Sequence, residues 1–359
     1  MKVVIAGGGT AGHVNPAIAL AAEMDDADIW FIGTERGVEA KLVAEAGHRF
    51  EHVSIEGFDR ARPARLPLVA ARALGAVGAA RGILRRHNPD VVVGMGGYVS
   101  LPVCLAAASM RRPVVLHEQN IVLGLAHRVC KPVARRIAVS FEETLSATGD
   151  KGVVTGNPVV GRVAELDVAG ARPNGMSLFE LDPDRRTVLV FGGSLGARTL
   201  NRAAAELATR WANRSDRQIL HISGRSPTTQ VPPPGDTGAL LYRHLTYTDA
   251  IELAYAVADV AICRGGASTV AEITAVGLPA VVVPYPFHRD RQQFRHGEVL
   301  ARAGAGVVVE DADANAARLE AELEKMLDPP VLARARAAAR ALGKPDAARR
   351  LADVVRAAA

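Results

Sequence analysis

"KVVIAGGGTAGHVN" (Lys2–Asn15) sets a short β-branched run directly against three glycines and a polar turn. The run Val3–Ala6 suits a strand buried on both faces. The glycines stand where the backbone must turn sharply or approach another group closely. The layout returns once. "TVLVFGGSLGARTLN" (Thr187–Asn201) places Gly192–Gly193 where Gly7–Gly8 stand in the first stretch, again after a strand and before a helix. Two βα units of similar design therefore follow one another.

Outward from these loops, apolar strands alternate with Ala-rich helices. The first half offers Val3–Ala6, Ile29–Ile32, Phe50–Ile55, Val91–Val93, Val114–His117 and Ile137–Val139, with helices such as Pro16–Met24 and Leu68–Arg86. The second half offers Ile219–Ile222, Leu240–Tyr242, Val260–Cys263, Ala280–Val283 and Val307–Val309. This alternation predicts parallel sheets covered on both faces, an α/β class. "VAGARPNGMSLFELDPDRR" (Val168–Arg186) is rich in Pro, Gly and charge and reads as a connector. Ala314–Ala359 is helical by composition, interrupted at Pro329–Pro330 and Pro345.

The chain has 359 residues, long enough for two cores. Its net charge of +5 suits anionic ligands or an acidic membrane surface, and is too weak to indicate nucleic acid. An aromatic content of 4% argues against base-stacking platforms. Cys104, Cys130 and Cys263 lie far apart, as free thiols of a reducing compartment do. Met1 leads straight into a strand, so no signal peptide is expected. No apolar run reaches the roughly 18 residues of a membrane span.

Ligands of open α/β sheets bind beyond the carboxyl ends of the strands, where glycine turns meet helix N-termini. Gly7-x-Gly9-x-x-Gly12 matches a dinucleotide fingerprint, and Glu35 follows where a ribose-binding acid belongs. A sugar-phosphate loop and a plain strand–helix turn fit the same letters. His13 opens the next helix, where the dipole favours a neutral ring able to accept a proton; a packing role is the alternative. "VVVGMGGYVSLP" (Val91–Pro102) is a further glycine turn. "VVLHEQN" (Val114–Asn120) ends a strand in His117, Glu118, Gln119 and Asn120, which a strand interior would not tolerate together. They are expected at the sheet edge, facing the ligand.

In the second half, Ser194 stands ready to donate to a phosphate oxygen. "VAICRGGASTVAE" (Val260–Glu272) ends a strand, turns at Arg264 and two glycines, and starts a helix near Ala267. Free N–H groups there suit a pyrophosphate. Glu272 is spaced to reach a ribose diol, and Gln292 and Gln293 to hold sugar hydroxyls. The pairs Asp26/Asp28 and Asp311/Asp313 read as turn and cap residues rather than metal ligands. Two helix N-termini and Arg264 would neutralise a diphosphate without a cation, so no cofactor or metal is expected.

Seven stretches in order, GGGTAGH, GGYVSLP, HEQN, GNP, GGSLGA, CRGGASTVAE and DRQQ, resemble the MurG family. These are the peptidoglycan N-acetylglucosaminyltransferases that form lipid II. The resemblance covers essentially the whole chain. It implies a GT-B fold, two tandem Rossmann-like domains with parallel sheets facing a central cleft. It implies residues 1–160 as the acceptor- and membrane-facing domain, 161–344 as the UDP-GlcNAc domain, and 345–359 as a helix packing back toward the first. The implied reaction moves GlcNAc from UDP-GlcNAc to the C4 hydroxyl of MurNAc in undecaprenyl-pyrophosphoryl-MurNAc-pentapeptide, with inversion and without an essential metal. The implied location is the cytoplasmic face of the cell membrane, as a peripheral protein, beside other cell-wall and division proteins.

Carried over by position, Thr10, Ala11 and Gly12 would contact the donor and Asn120 the GlcNAc. Ser194 would meet phosphate, and the main chain near Thr248 the uracil. Ala267, Ser268, Thr269, Val270, Ala271 and Glu272 would bind pyrophosphate and ribose, and Gln292 and Gln293 the sugar. His13 would be the base, a role Glu118 is placed to share. Three positions depart from the family. Ala11 replaces a common Gly. In "GNPVVGR" the Arg normally next to GNPV stands later, as Arg162. Leu195 replaces a frequent Gln.

An undecaprenyl acceptor calls for membrane docking, and Arg60–His87 carries seven arginines among apolar residues and no acid. A core helix with a basic solvated face is the other reading. Rival functions are an NAD-dependent oxidoreductase using Gly7–Gly12 and Glu35, a UDP-sugar epimerase, and a nucleotide-sugar-binding module without chemistry.

Overall fold

The computed structural model describes the chain except residues 9, 10, 35–37, 55–65, 232, 233, 235, 236 and 289 and the side chains of 11, 38 and 66–74. It divides into two compact units, Met1–Val160 with Pro345–Ala359, and Gly161–Lys344.

The first unit runs β1 (Lys2–Ala6), α1 (Ala11–Ala22), β2 (Asp28–Gly33), α2 (Val38–Glu45), β3 (Arg49–His52), α3 (Leu66–His87), β4 (Val91–Gly94), α4 (Gly97–Ser109), β5 (Val114–Glu118), α5 (Leu125–Cys130), β6 (Arg136–Val139), α6 (Leu145–Thr148) and β7 (Gly152–Val154). The second runs α7 (Gly161–Ala164), α8 (Val168–Leu178), β8 (Arg186–Phe191), α9 (Arg198–Arg210), β9 (Arg217–Ile222), β10 (Leu241–Leu245), α10 (Ile251–Val257), β11 (Val260–Cys263), α11 (Ala267–Ala275), β12 (Ala280–Val282), α12 (Gln292–Ala303), β13 (Gly306–Val308), α13 (Ala316–Leu327) and α14 (Pro329–Leu342). The last helix, α15 (Ala347–Ala358), returns to the first unit.

Both sheets are parallel, in the orders β3-β2-β1-β4-β5-β6-β7 and β10-β9-β8-β11-β12-β13. Side-chain alternation divides the work of β1. Val4 and Ala6 pack with Ala80, Leu84, Val99 and Val103 of α3 and α4. Val3 and Ile5 pack with Val14, Leu20, Leu351 and Val355 of α1 and α15. In the second unit, Val188, Val190 and Ile262 meet Leu200 and Leu207 of α9 and Leu319 and Leu323 of α13.

Two local expectations need correction. The stretch read as a connector forms α8 despite Pro173. Asp167 caps it by accepting from Ala169 N at 3.2 Å. Gly175 lets it lie tight on α10, since a Cβ there would stand 2.6 Å from Val257 Cγ1. Pro329–Pro330, read as an interruption, opens α14, where fixed φ and a missing N–H are tolerated. β7 is a further strand that the sequence pattern did not reveal.

Candidate active site

Strand order reverses between β1 and β4 in one sheet and between β8 and β11 in the other. Connections leave such neighbours in opposite directions and open a crevice at their carboxyl ends. The loops after all four strands are those in which the glycines were found.

At the first switch point two loops touch. Gly97 has φ +74°, and a Cβ on it would lie 2.3 Å from Gly8 O. Gly8 is itself crowded: a Cβ there would stand 2.5 Å from Oε1 of the buried Glu39. Glu39 also accepts from Thr34 N at 2.9 Å and Thr34 Oγ1 at 2.6 Å. A carboxylate packed beneath the first glycine loop disfavours a dinucleotide pyrophosphate at that place. Glu35, the ribose acid of that reading, lies outside the described residues.

His13 sits on the first turn of α1, half-buried, with Nδ1 3.0 Å from Gln119 Oε1. Its pKa is lowered, chiefly by burial, while the Gln119 bond and the Glu118 charge oppose the shift. The ring is therefore neutral at pH 7 and able to take a proton.

The four polar residues ending β5 do not all line an open edge. His117, Glu118 and Gln119 are 0%, 2% and 2% exposed, and Asn120 is half-buried. They are tolerated because they satisfy one another and the backbone. Glu118 Oε1 accepts from Asn120 N at 3.0 Å and Asn120 Nδ2 at 3.2 Å. Its Oε2 accepts from Gly124 N at 2.8 Å and pairs with His127 Nδ1 at 2.7 Å. Burial alone would raise its pKa, but His127 and the two backbone N–H groups bring it down to about 2. This corrects the shared-base expectation: Glu118 holds its proton too weakly, and its oxygens are already engaged.

The second switch point is more open. Ser194 is exposed on the loop after β8, where Gly193 and Gly196 have φ +86° and +81°. No side chain caps α11; Gly266 is its N-cap with φ −65° and ψ 144°. Ala267, Ser268, Thr269, Val270 and Ala271 form its first turn and a half. Beside it starts α12, brought close through Gly265, whose Cβ would lie 2.4 Å from Gln293 O. Gln293 Oε1 accepts from Tyr285 N at 2.9 Å, and Gln292 Nε2 donates to Asp290 Oδ2 at 2.5 Å. Glu272 is half-buried and accepts from Tyr255 Oη at 2.7 Å. Burial raises its pKa against the Tyr255 bond and the charge of Arg162.

Arg162 donates to Asp249 O at 2.8 Å and pairs with Glu252 at 3.5 Å. That places it on the segment holding Thr248, whose Oγ1 accepts from Ala250 N at 3.1 Å. Arg264 does not match its expected role. Its guanidinium donates to Val283 O and Pro284 O at 3.1 and 3.0 Å and pairs with Asp311 at 2.5 Å. It ties β11 to the segments after β12 and β13 and is not free for a diphosphate.

Thr10 and the side chain of Ala11 lie outside the described residues; Gly12 is half-buried at the start of α1. The basic segment divides. Arg60, Arg62 and Arg65 lie outside the described residues, as do the side chains from Leu66 to Leu74. Its later half is a core helix: Ile83 and Leu84 are buried, Arg81 donates to Ser109 Oγ, and Arg86 pairs with Glu51. Among the described residues no helix is long and apolar enough to cross a membrane. Sequence reasoning missed His127, Glu39 and Tyr255, each an isolated residue with no motif around it.

Family models for the glycosyltransferase family 28 N-terminal and C-terminal domains match residues 3–139 and 187–351. A Nocardioides sp. (strain ATCC BAA-499 / JS614) protein is 41% identical over 99% of this chain and 97% of its own length. It is named UDP-N-acetylglucosamine--N-acetylmuramyl-(pentapeptide) pyrophosphoryl-undecaprenol N-acetylglucosamine transferase. The crystal structure of Acinetobacter baumannii MurG matches with TM-score 0.78 and 25% identity over 99% of both chains. A UDP-GlcNAc 2-epimerase from Neisseria meningitidis matches with TM-score 0.68 at 13% identity, over 99% of this chain and 100% of its own, which is a likeness of fold alone. The fold is GT-B, and the chain belongs to the MurG family of glycosyltransferases.

Proposed function

We propose that the protein transfers N-acetylglucosamine from UDP-GlcNAc to the C4 hydroxyl of MurNAc in undecaprenyl-pyrophosphoryl-MurNAc-pentapeptide, forming a β-1,4 link with inversion. The observation that carries this reading is His13, a neutral imidazole at the first switch point. It takes the proton from the C4 hydroxyl as that oxygen attacks C1 of the donor sugar. The bond from C1 to the diphosphate breaks as the new bond forms, and UDP leaves with the electron pair. The uncapped start of α11 supports the departing charge with its N–H groups and dipole.

In this reading the second unit holds the nucleotide sugar. Ser194 and residues Ala267–Ala271 serve the pyrophosphate, Glu272 the ribose, the main chain at Thr248 the uracil, and Gln292 and Gln293 the sugar. Arg162 orients the Thr248 segment. Thr10, Ala11 and Gly12 contact the donor, and Asn120 contacts GlcNAc through its carbonyl, its Nδ2 being held by Glu118. Helix N-termini supply the charge compensation, so the reaction needs no metal.

The acceptor's lipid places the work at the cytoplasmic face of the membrane. Arg60, Arg62, Arg65 and Arg72 in an acid-free stretch support docking to anionic lipid. Neutralising the first three is expected to reduce co-sedimentation with anionic liposomes.

Transfer of radiolabelled sugar from UDP-GlcNAc to a short-chain lipid-linked acceptor tests the function. Acceptor-dependent product is expected. Conversion of UDP-GlcNAc without acceptor would instead indicate an epimerase, and thermal stabilisation by NADH alone an oxidoreductase.

A further inference from the structure

We infer that Gln119 and His117 are positioning residues that hold the proton of His13 on Nδ1 and leave the lone pair on Nε2 to face the acceptor. The inference rests on His13 being the base and adds which nitrogen acts and what selects it.

Hydrogen-bond donors and acceptors alternate along a buried chain. A carbonyl oxygen only accepts. His117 Nε2 stands 3.0 Å from Gly156 O, so that nitrogen carries hydrogen. Burial keeps His117 neutral, with a pKa of about 4, so its Nδ1 is bare. Gln119 Nε2 lies 3.0 Å from that bare nitrogen and 2.9 Å from Met95 O. Both are acceptors, and only an NH₂ group satisfies both. The amide therefore has one orientation, since the reverse would press Oε1 against Met95 O and a lone pair. With NH₂ so placed, Gln119 Oε1 faces His13 Nδ1 at 3.0 Å. An amide oxygen only accepts, so His13 Nδ1 carries the hydrogen. A neutral imidazole has one N–H, and Nε2 is left bare.

Gln119 and His117 are 2% and 0% exposed, which shuts out competing water. The acceptor at Nδ1 is uncharged, unlike the carboxylate of a serine-protease triad. It orients the ring and selects the tautomer without a full charge on Nδ1. Other groups facing His13 are Glu118 on β5 and the Met95 carbonyl after β4, which favour the protonated ring, and His127 on α5, which disfavours it. His13 thus stays neutral when free and keeps its Nδ1–H bond after taking the acceptor proton on Nε2.

The test begins with unaltered protein labelled with ¹⁵N-histidine. Long-range proton–nitrogen spectra at pH 7.5 are expected to show His13 with hydrogen on Nδ1 and a bare Nε2, and His117 with the opposite pattern. His13 carrying hydrogen on Nε2 would overturn the inference without any variant. Gln119→Leu is then expected to lower kcat by roughly 10–100-fold, keep both KM values within about threefold, and bring the Nε2–H form into the spectrum. Gln119→Glu is expected to move the acid limb of kcat/KM upward by about one pH unit or more. A folded Gln119→Leu variant with unchanged kcat and tautomer would overturn the inference while an inactive His13→Ala left the base standing. An active His13→Ala would remove the base reading, whatever the tautomer.

Discussion

The two switch points share a topology and differ in what fills them. The first is packed with titratable side chains: Gln119 ties His13 to His117, and beside them Glu118 pairs with His127. The second shows exposed Ser194, an uncapped helix and half-buried Glu272. In the proposed reaction one arrangement controls a proton and the other offers backbone donors to an anion. The strand–glycine–helix unit sets where chemistry occurs, and the residues beneath the loop set which chemistry it is.

The largest test removes the base. His13→Ala is expected to lower turnover by ~10²–10⁴-fold, a usual range for a general base, with UDP-GlcNAc affinity kept. Steady-state kinetics and donor titration check both halves. An equal loss of donor affinity would erase the contrast between the units.

Glu118→Ala should chiefly cost stability. It leaves the buried His127 Nδ1 and Gly124 N without their acceptor, at about 1–3 kcal/mol for such a group, read as a lower denaturation midpoint. Activity in the folded fraction should keep its acid limb. Loss of that limb would return Glu118 to the base role.

A carboxylate in the second switch point should separate stability from binding. Gly266 has backbone angles open to any residue, and a Cβ there meets Thr269 Oγ1 at 3.5 Å, an ordinary contact. Gly266→Asp is expected to stabilise the helix by a few tenths of a kcal/mol. The same charge should raise the donor KM by at least about tenfold. Tighter donor binding would contradict anion recognition at α11.

The smallest expected effect is on pH dependence. Folded His117 takes up its proton near pH 4, against 6.5 for an ordinary imidazole. Its contribution is complete above pH 6.5 and is lost as pH falls toward 4. His221 in the second unit behaves alike, toward about 3. His117→Gln should flatten the fall in melting temperature between pH 7 and 4.5 without abolishing it. An unchanged slope would show that His117 is not held neutral by burial.

Much of this was legible in the letters. The repeated strand–glycine pattern located both sheets and all four loops, because glycine at a close approach leaves no substitute: at Gly97 a single Cβ would strike Gly8 O. His13 was legible because histidine is unusual at a helix start. Less visible was anything settled by packing between distant segments. α8 forms in a Pro- and Gly-rich stretch because α10 lies against it. β7 has three residues and no pattern of its own. Arg264 was assigned by its motif, but Asp311 and two carbonyls from later loops claim its guanidinium. His127 lies nine residues beyond its partner Glu118, with nothing in the intervening letters to connect them.

The return of α15 bears on how the polypeptide is made. Residues 161–344 are continuous, so every part of the second unit is made before α15. The first unit has emerged earlier yet stays unfinished: Leu351, Ala352, Val355 and Ala358 complete the layer over Val3, Val91 and Val115. The segment translated first is therefore the last to close its core. Stop codons placed just before α15 would release chains whose later half is native and whose earlier half seeks chaperones.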